Sequence, residues 1–373
     1  MQDSSRCMKK ILSVHYDEIA LKGKQRGYFQ SLLIKNMKEK INKPIKVIES
    51  RLVLEDYSLD DIEKLKFTPG IAWISEAYRI ERNEEELAGL LDEIMGENKD
   101  INLDVKRVDK NYEKTSLKLK EELAKKLKLR FDKNGKKIRI EIMDDSFIVN
   151  YSIEKGLGGL PVGSSGKLLS LFSGGIDSSI APLEMMKRGA KVDLLHVYAL
   201  NSPDFALESK IKTIAERLSK VEAGLNLYLV PFHYFSVAAL KIDKRYELVL
   251  FKRFLLKLAE EISKDRGYLA IITGDSLSQV ASQTIENINA ISFDIQLPVF
   301  RPFIGYNKGE IIDKSIRYGL YDLSLEEYKD CCSIVSNNPA TKSNPKIIKK
   351  LENEIEMEKI IKDSIKELKT FKF

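Results

Sequence analysis

The run Ser173-Gly174-Gly175-Ile176-Asp177-Ser178 follows directly on an apolar stretch of strand length, Leu168–Phe172. A helical pattern over Ser178–Arg188 starts immediately behind it. Strand, glycine turn and helix start aim several backbone N–H groups at one point, and the positive end of the helix dipole adds to them. Such a point binds an anion, typically phosphate, and glycines let the backbone approach it closely. A second polar segment, Thr273-Gly274-Asp275-Ser276 through Gln283, follows the strand pattern at Tyr268–Thr273 and is expected to open a helix. Two such turns behind parallel strands converge beyond the carboxyl ends of the sheet, near its switch point. A third chemistry is offered by the adjacent thiols of Cys331 and Cys332, in a charged stretch that reads as a loop. Free cysteines usually sit in cores, so this placement is unusual.

A neighbouring glycine-rich stretch, Gly156 to Lys167, looks at first like a Walker loop. That loop needs Gly five residues before Gly166 and Ser or Thr after Lys167, and those positions hold Pro161 and Leu168. The stretch also precedes the strand instead of following it, and reads as a linker. The 3 cysteines, with Cys7 the third, form neither a disulfide framework nor a zinc site. They also lack iron–sulfur spacing. The histidines His15, His196 and His233 are scattered and read as structural. A reducing cytoplasm is expected. No apolar stretch approaches the roughly 20 residues of a membrane span, and the apolar run after Lys10 is too short for a secretory signal.

The elements that must position these residues fall into two kinds. Before the linker the patterning is α+β. Strands are expected at Ile11–Val14, within Pro44–Leu54, and at Ile71–Ile80, with helices at Tyr28–Ile41 and Leu59–Leu65. A helix over Asn83–Met95, a strand at Ile101–Arg107, a basic helix capped by Thr115 or Ser116, and a hairpin of Ile138–Ile142 with Phe147–Tyr151 follow. From Lys167 onward, strands alternate with helices. Strands at Leu168–Phe172, Val192–Tyr198, Leu225–Pro231 and Tyr268–Thr273, with helices at Leu207–Ser219 and Tyr246–Asp265, predict a doubly wound parallel sheet. Lys346–Lys369 predicts one charged amphipathic helix.

Charge is uneven. Between Lys106 and Arg139, 14 Lys or Arg stand against 5 Asp or Glu, a local excess larger than the net +6 of the whole chain. That density suits a phosphate-backbone surface. The spacing of Leu119, Leu123 and Leu127 makes the same segment an amphipathic helix with a solvated basic face. Both readings hold together.

The Ser173–Ser178 pattern is that of the PP-loop ATP pyrophosphatases, which cleave ATP to AMP and pyrophosphate. With Thr273–Gln283, Arg301-Pro302-Phe303-Ile304-Gly305 and Asp330-Cys331-Cys332 in this order, the chain resembles the ThiI family of tRNA 4-thiouridine synthetases. Gly158–Gly163 resembles the family's approach to its PP-loop domain, and Tyr16–Lys24 with Arg26 resembles its N-terminal signature. The resemblance runs over roughly residues 9–345. It implies an α/β multidomain chain: a ferredoxin-like α+β domain (1–82), a THUMP domain (83–165), a PP-loop domain (166–345) and a C-terminal helix (346–373).

The function implied is ATP-dependent transfer of sulfur to a tRNA uridine, expected at position 8, through adenylation of O4. The alternatives are sulfur transfer in thiamine thiazole synthesis and a non-catalytic tRNA-binding role. By the same resemblance, ATP with Mg2+ is held by Ser173, Gly174, Gly175, Asp177, Ser178, His196, Gly274 and Gln283. Asp177 and Arg301 support the chemistry. Cys332, or failing that Cys331, carries the sulfur as a persulfide. The tRNA acceptor stem is expected on Lys22, Lys24, Arg26, Lys106, Arg107, Lys110, Lys114 and Lys118, and a homodimer is implied. Two departures stand out: Ser179 where the family often has Pro, and no rhodanese domain before Phe373. A vicinal Cys331–Cys332 disulfide would be strained, so the sulfur is expected from inorganic sulfide or from a separate persulfide carrier such as a cysteine desulfurase.

Overall fold

The computed structural model describes residues 8–199, 202–328, 330–335 and 339–373. The chain forms two compact units, Met1–Pro161 and Val162–Phe373. Cys7 lies outside the described residues.

The first unit is built on strands β1 (Lys9–Tyr16), β2 (Lys46–Ile48), β3 (Arg51–Leu54), β4 (Ile71–Glu81), β5 (Asp100–Arg107), β6 (Arg130–Phe131), β7 (Lys136–Ile142) and β8 (Ser146–Lys155). They make one sheet in the order β2-β3-β1-β4-β8-β7-β5-β6. The boundary expected at residue 82 therefore does not divide the sheet: β4 pairs with β8 from Trp73↔Lys155 to Glu81↔Ser146. Two helix pairs bury separate cores on this sheet. Helices Arg26–Ile41 and Leu59–Lys66 seat Phe29, Leu33 and Leu65 against Leu12, Val14 and Ile74. Helices Glu84–Met95 and Ser116–Leu127 seat Leu87, Leu91 and Leu119 against Leu103, Ile140 and Phe147. Their starts follow local chemistry: Asn83 accepts from Glu85 N and Glu86 N, and Thr115 from Lys118 N.

A buried ion pair joins the two halves of this sheet. Glu141 of β7 is fully buried, and Arg51 of β3 donates Nε and Nη2 to it at 3.0 and 2.5 Å. His15 of β1 places Nε2 at 3.1 Å from Glu141 and stacks on Trp73 with ring centroids 3.4 Å apart. Burial pushes the His15 imidazole down to about 4, against the pull of Glu141. For Glu141 burial works upward, but His15 and Arg51 hold the carboxyl at about 2. The expected linker is fixed, not loose. Gly156 N donates to Ala72 O, Gly159 N donates to Asp17 Oδ2 at 2.8 Å, and Leu160 joins the core.

The second unit carries β9 (Lys167–Leu171), β10 (Lys191–Tyr198), β11 (Asn226–Pro231), β12 (Ala270–Ile272), β13 (Val299–Phe300) and β14 (Lys369–Lys372). Their order is β13-β12-β9-β10-β11-β14. The first five are parallel, as expected, and β14 closes one edge antiparallel to β11. The chain leaves β9 toward β10 and β11, then returns to place β12 on the other side of β9. The switch point therefore lies between β9 and β12. Helix Lys244–Arg266 buries Phe251, Phe254 and Leu258, and its Arg253 is fully buried, donating to Glu352, Asp294 and Ile291 O.

The single helix expected over Lys346–Lys369 is instead two helices, Pro345–Glu354 and Met357–Lys366, followed by β14. The break at Glu356, in left-handed conformation, lets Ile348, Ile355, Met357 and Ile360 all enter the core under Lys244–Arg266. Among the described residues no helix is long and apolar enough to cross a membrane.

The His15 and Glu141 shifts have the same sign. Below the ordinary histidine range the unfolded chain takes up a proton that folded His15 refuses until about pH 4, and Glu141 repeats this between the ordinary carboxylate range and about pH 2. Urea titrations followed by the fluorescence of Trp73, the one tryptophan, will show the first unit losing stability as pH falls from about 6.5, and His15→Gln will flatten the part of that loss above pH 4.

Candidate active site

At the carboxyl end of β9 the backbone turns through Ser173, Gly174 and Gly175 into helix Ile176–Met186. Gly174 has φ +80, a conformation that a side chain resists. Ser173 N and Oγ both meet Ser178 Oγ, at 3.2 and 2.9 Å, and the Ser178 and Ser179 hydroxyls donate to Gly175 O. Ser179, the departure from the family pattern, thus closes the first helical turn. The N–H groups of that turn have no carbonyl behind them and point out of the helix.

The segment after β12 meets this turn directly. A Cβ on Gly274 would lie 2.7 Å from the backbone carbon of Asp177 and 2.8 Å from Ser178 N. Only glycine permits this approach. The expectation that this segment opens a helix is corrected. It runs through Ser278 with φ +60 and a short 3-10 turn at Ala281–Gln283, and the helix starts at Ile285 behind the Thr284 cap. The detour brings polar side chains back over the glycine turn.

Two carboxylates organise the result. Asp177 accepts from Gln279 Nε2 at 2.8 Å and from Lys308 Nζ at 2.6 Å. Asp275 accepts from Lys252 Nζ at 3.0 Å, Thr273 Oγ1 at 2.8 Å and Gln283 Nε2 at 3.3 Å. Arg301 Nε stands 3.5 Å from Asp275 Oδ2. Burial works to raise the Asp275 carboxyl, and Lys252, Thr273 and Arg301 together hold it below the usual range. Arg301 therefore reaches the site through Asp275. Around these hubs lies a cleft of about 450 Å³, lined by Ser173, Gly175, Asp177, Ser178, Gly274 and Gln283 together with apolar residues of the long helix.

The third wall comes from the cysteine segment. His196 of β10 is buried, and burial pushes its imidazole down to about 4. Its Nδ1–H donates to Phe172 O at 2.8 Å, because a carbonyl only accepts. That leaves Nε2 to accept from Tyr328 Oη at 2.8 Å. Asp330 bridges Tyr198, and the Cys331 thiol donates to Val197 O at 3.2 Å. Three successive residues of β10 thus hold this segment against the cleft.

The loop-like reading of the cysteines is corrected: Cys331–Ile334 is a short helix, and Cys331 is 1% exposed and packed in the core. The side chain of Cys332 lies outside the described residues.

The basic residues expected on RNA divide by their partners. Lys24, Lys106, Lys110 and Lys118 are exposed. Lys114 is tied to Glu84 at 2.6 Å and Glu122 at 2.7 Å, and Arg107 donates to the carbonyls of Tyr112 and Lys114. Arg26 donates to Tyr16 Oη and lies over its ring, and Lys22 lies over Phe29. These four are engaged within the unit. Lys252, Lys308, Gln279 and Tyr328 were not foreseen. They arrive from distant segments, and only Gln279 lay inside a stretch that the sequence had marked. Among the described residues no group of three or more His, Cys, Asp or Glu could hold a metal.

A doubly wound parallel sheet whose two glycine-bearing loops touch at its switch point defines a nucleotide-handling α/β domain of the PP-loop type. The family model described as Thiamine biosynthesis protein (ThiI) matches residues 163–357, and the ThiI ferredoxin-like domain matches residues 11–75. The chain belongs to the ThiI family. It is 33% identical over 371 residues to a protein named probable tRNA sulfurtransferase from Thermoanaerobacter sp. (strain X514), with 94% of this chain and 96% of that one covered. A protein of the same name from Thermus thermophilus is 31% identical, with 96% and 93% covered. The crystal structure of a 4-thiouridine synthetase–RNA complex with bound ATP is 28% identical to this chain and has a TM-score of 0.84, covering 98% of this chain and 100% of that one.

The contact of Gly274 with the Asp177 backbone predicts that Gly274→Ala displaces the glycine turn while the sheet beneath it stays folded. Calorimetric ATP affinity will fall by roughly tenfold or more, with the thermal transition retained.

Proposed function

We propose that this protein is an ATP-dependent tRNA sulfurtransferase that replaces O4 of a tRNA uridine, at position 8, with sulfur to give 4-thiouridine. One observation carries this reading. In a chain of the ThiI family, the phosphate-type turn, the Asp177–Lys308 ion pair and the cysteine segment anchored on β10 line the same cleft.

The residues present suit ATP. The glycine turn is a cradle that side chains would fill, and Gln283 offers a buried Oε1 without a partner. ATP supplies one thing: adenylation converts O4, a poor leaving group, into a good one. Ser173, Gly174, Gly175 and Ser178 hold phosphate through N–H and hydroxyl donors. Asp177 orients the turn and would hold the Mg2+ that accompanies the triphosphate, which would supply positive charge to the phosphates. Lys252 and Arg301, fixed by Asp275, add positive charge where negative charge develops. His196, neutral and doubly hydrogen-bonded, fixes the wall between the phosphate turn and the cysteine segment.

Cys332 takes the outer sulfur of a persulfide from a separate carrier such as a cysteine desulfurase, whose thiolate leaves. It passes that sulfur to the adenylated C4 as AMP leaves, and an added thiol then reduces the S–S bond to Cys332. Inorganic sulfide instead attacks C4 directly without loading Cys332. Cys331 anchors the segment through Val197. Residues 83–165 act as a THUMP domain, holding the tRNA acceptor stem together with the ferredoxin-like residues before them. They read duplex shape more than sequence. Lys106, Lys110 and Lys118 supply free charge for that contact. On the family resemblance we place the protein in the cytoplasm as a homodimer.

Incubated with unmodified tRNA, ATP, Mg2+ and a sulfur source, the protein will develop the absorbance of 4-thiouridine. Asp177→Asn will lower the rate by about two orders of magnitude. Cys332→Ser will abolish it with a persulfide donor, and normal rates with both persulfide and sulfide would exclude the carrier role. Changing Lys106, Lys110 and Lys118 together to Gln will weaken tRNA binding and flatten its salt dependence by about one phosphate contact per lysine. Lys114→Gln will leave that slope unchanged.

A further inference from the structure

A buried lysine stands between the glycine turn and the cysteine segment. Lys210 opens the helix Lys210–Ser219 behind its Ser209 cap and is 9% exposed. Its stem lies against the turn: a Cβ on Gly174 would meet Ile211 Cδ1 at 2.6 Å and Lys210 Cε at 3.4 Å. Its Nζ donates to Ser324 O at 2.8 Å, in the short helix Tyr321–Leu325. Ser324, Leu325, Asp330 and Cys331 line the cleft on that side. One side chain thus touches both the phosphate turn and the stretch of chain that leads to the cysteines.

The charges that hold Lys210 come from that same stretch. Burial pushes its ammonium down from the ordinary lysine range, and Asp330 and Glu326 pull it back up. A buried ammonium needs such partners, because an unpaired ion in a protein interior is costly. An apolar side chain would fill the space beside Gly174 without that cost. What the amine adds is a tie to the Ser324 carbonyl and to two carboxylates just before the cysteines. At its other end the segment is fixed on β10 through Tyr328 and Cys331. β10 seats the segment on the sheet, and Lys210 seats it on the phosphate turn.

We propose that Lys210 is a positioning residue for sulfur transfer, tying the cysteine segment to the phosphate turn so that Cys332 acts on a base activated in the same cleft. The inference rests on the reading of Cys332 as the sulfur carrier. Lys210 does not itself line the cleft. It acts through the two elements it joins, not on the substrate. Without the amine, an apolar stem still supports Gly174, but the Ser324 end of the segment is released. Sulfur that travels through Cys332 then reaches C4 out of line, and a misplacement of about 1 Å costs up to about 100-fold in rate. Free sulfide needs no such segment and is largely spared.

The experiment compares wild-type protein with Lys210→Met and Glu326→Gln on unmodified tRNA at saturating ATP. Each is assayed with a thiol reductant and either a persulfide donor or inorganic sulfide. Methionine keeps a stem beside Gly174 and removes the charge; Glu326 is exposed, and its change removes one of the carboxylates that hold the ammonium. With the persulfide donor, kcat of Lys210→Met will fall about 10- to 100-fold. With sulfide the same variant will lose far less, and Glu326→Gln will show the same bias at smaller size. Losses of equal size with both sulfur sources would mean that Lys210 only supports the phosphate turn. No loss with the persulfide would mean that the segment needs no tie. Either result overturns the inference, and Glu326→Gln alone decides if Lys210→Met loses its thermal transition. Cys332→Ser at full rate with the persulfide would instead overturn the carrier reading. Wild-type protein that forms no thiouridine from either source would overturn the functional reading itself.

Discussion

Gly274 lies against the backbone of Asp177 with no room for a Cβ, and the site depends on that approach. The loops after β9 and β12 come from strands that neighbour each other only because the chain reverses its winding direction between them. Their contact sets Asp177 and Asp275 as two carboxylate hubs over one glycine turn. Each hub then fixes a lysine and a glutamine whose own chain positions carry no instruction to be there. Electrostatics follows from the same geometry: Asp275 stays ionised in a buried place because Lys252, Thr273 and Arg301 surround it.

The cysteine segment is held by a different logic. Residues His196, Val197 and Tyr198 at the end of β10 offer an imidazole nitrogen, a carbonyl and a backbone bridge, and the segment from Tyr328 to Cys331 takes all three. This uses Cys331 as a hydrogen-bonded core residue. In the first unit, Glu141 with Arg51 and His15 plays the corresponding part. The β4–β8 ladder makes one sheet from what the sequence reads as two domains. A buried charge held by groups from both halves ties it together, because removing either partner would leave an uncompensated ion inside.

Local pattern alone was enough for the elements whose causes are local. The glycine turn, the helix over Ile176–Met186, the caps at Asn83 and Thr115, and the parallel strands from β9 to β12 all follow from periodicity and turn chemistry over a few residues. Patterning failed where burial overrode it. A continuous amphipathic run after Pro345 splits at Glu356, whose left-handed backbone lets Ile348, Ile355, Met357 and Ile360 all reach the core under Lys244–Arg266.

The sequence by itself determined that the chain handles a phosphate-bearing nucleotide, that thiols and a basic segment accompany it, and that it resembles the ThiI family. Tertiary structure alone decided which charges are available. Glu84, Glu85, Asp100 and Asp104, all before the basic segment, neutralise Lys114, Lys126, Arg130 and Arg139, while Lys106, Lys110 and Lys118 stay exposed. It also decided that Cys331 is buried and that Gln279 and Lys308 share Asp177. The reason is the same in each case: hydrogen bonds and ion pairs choose partners by proximity in space, and hydrophobic periodicity records which face is buried without recording what lies across from it.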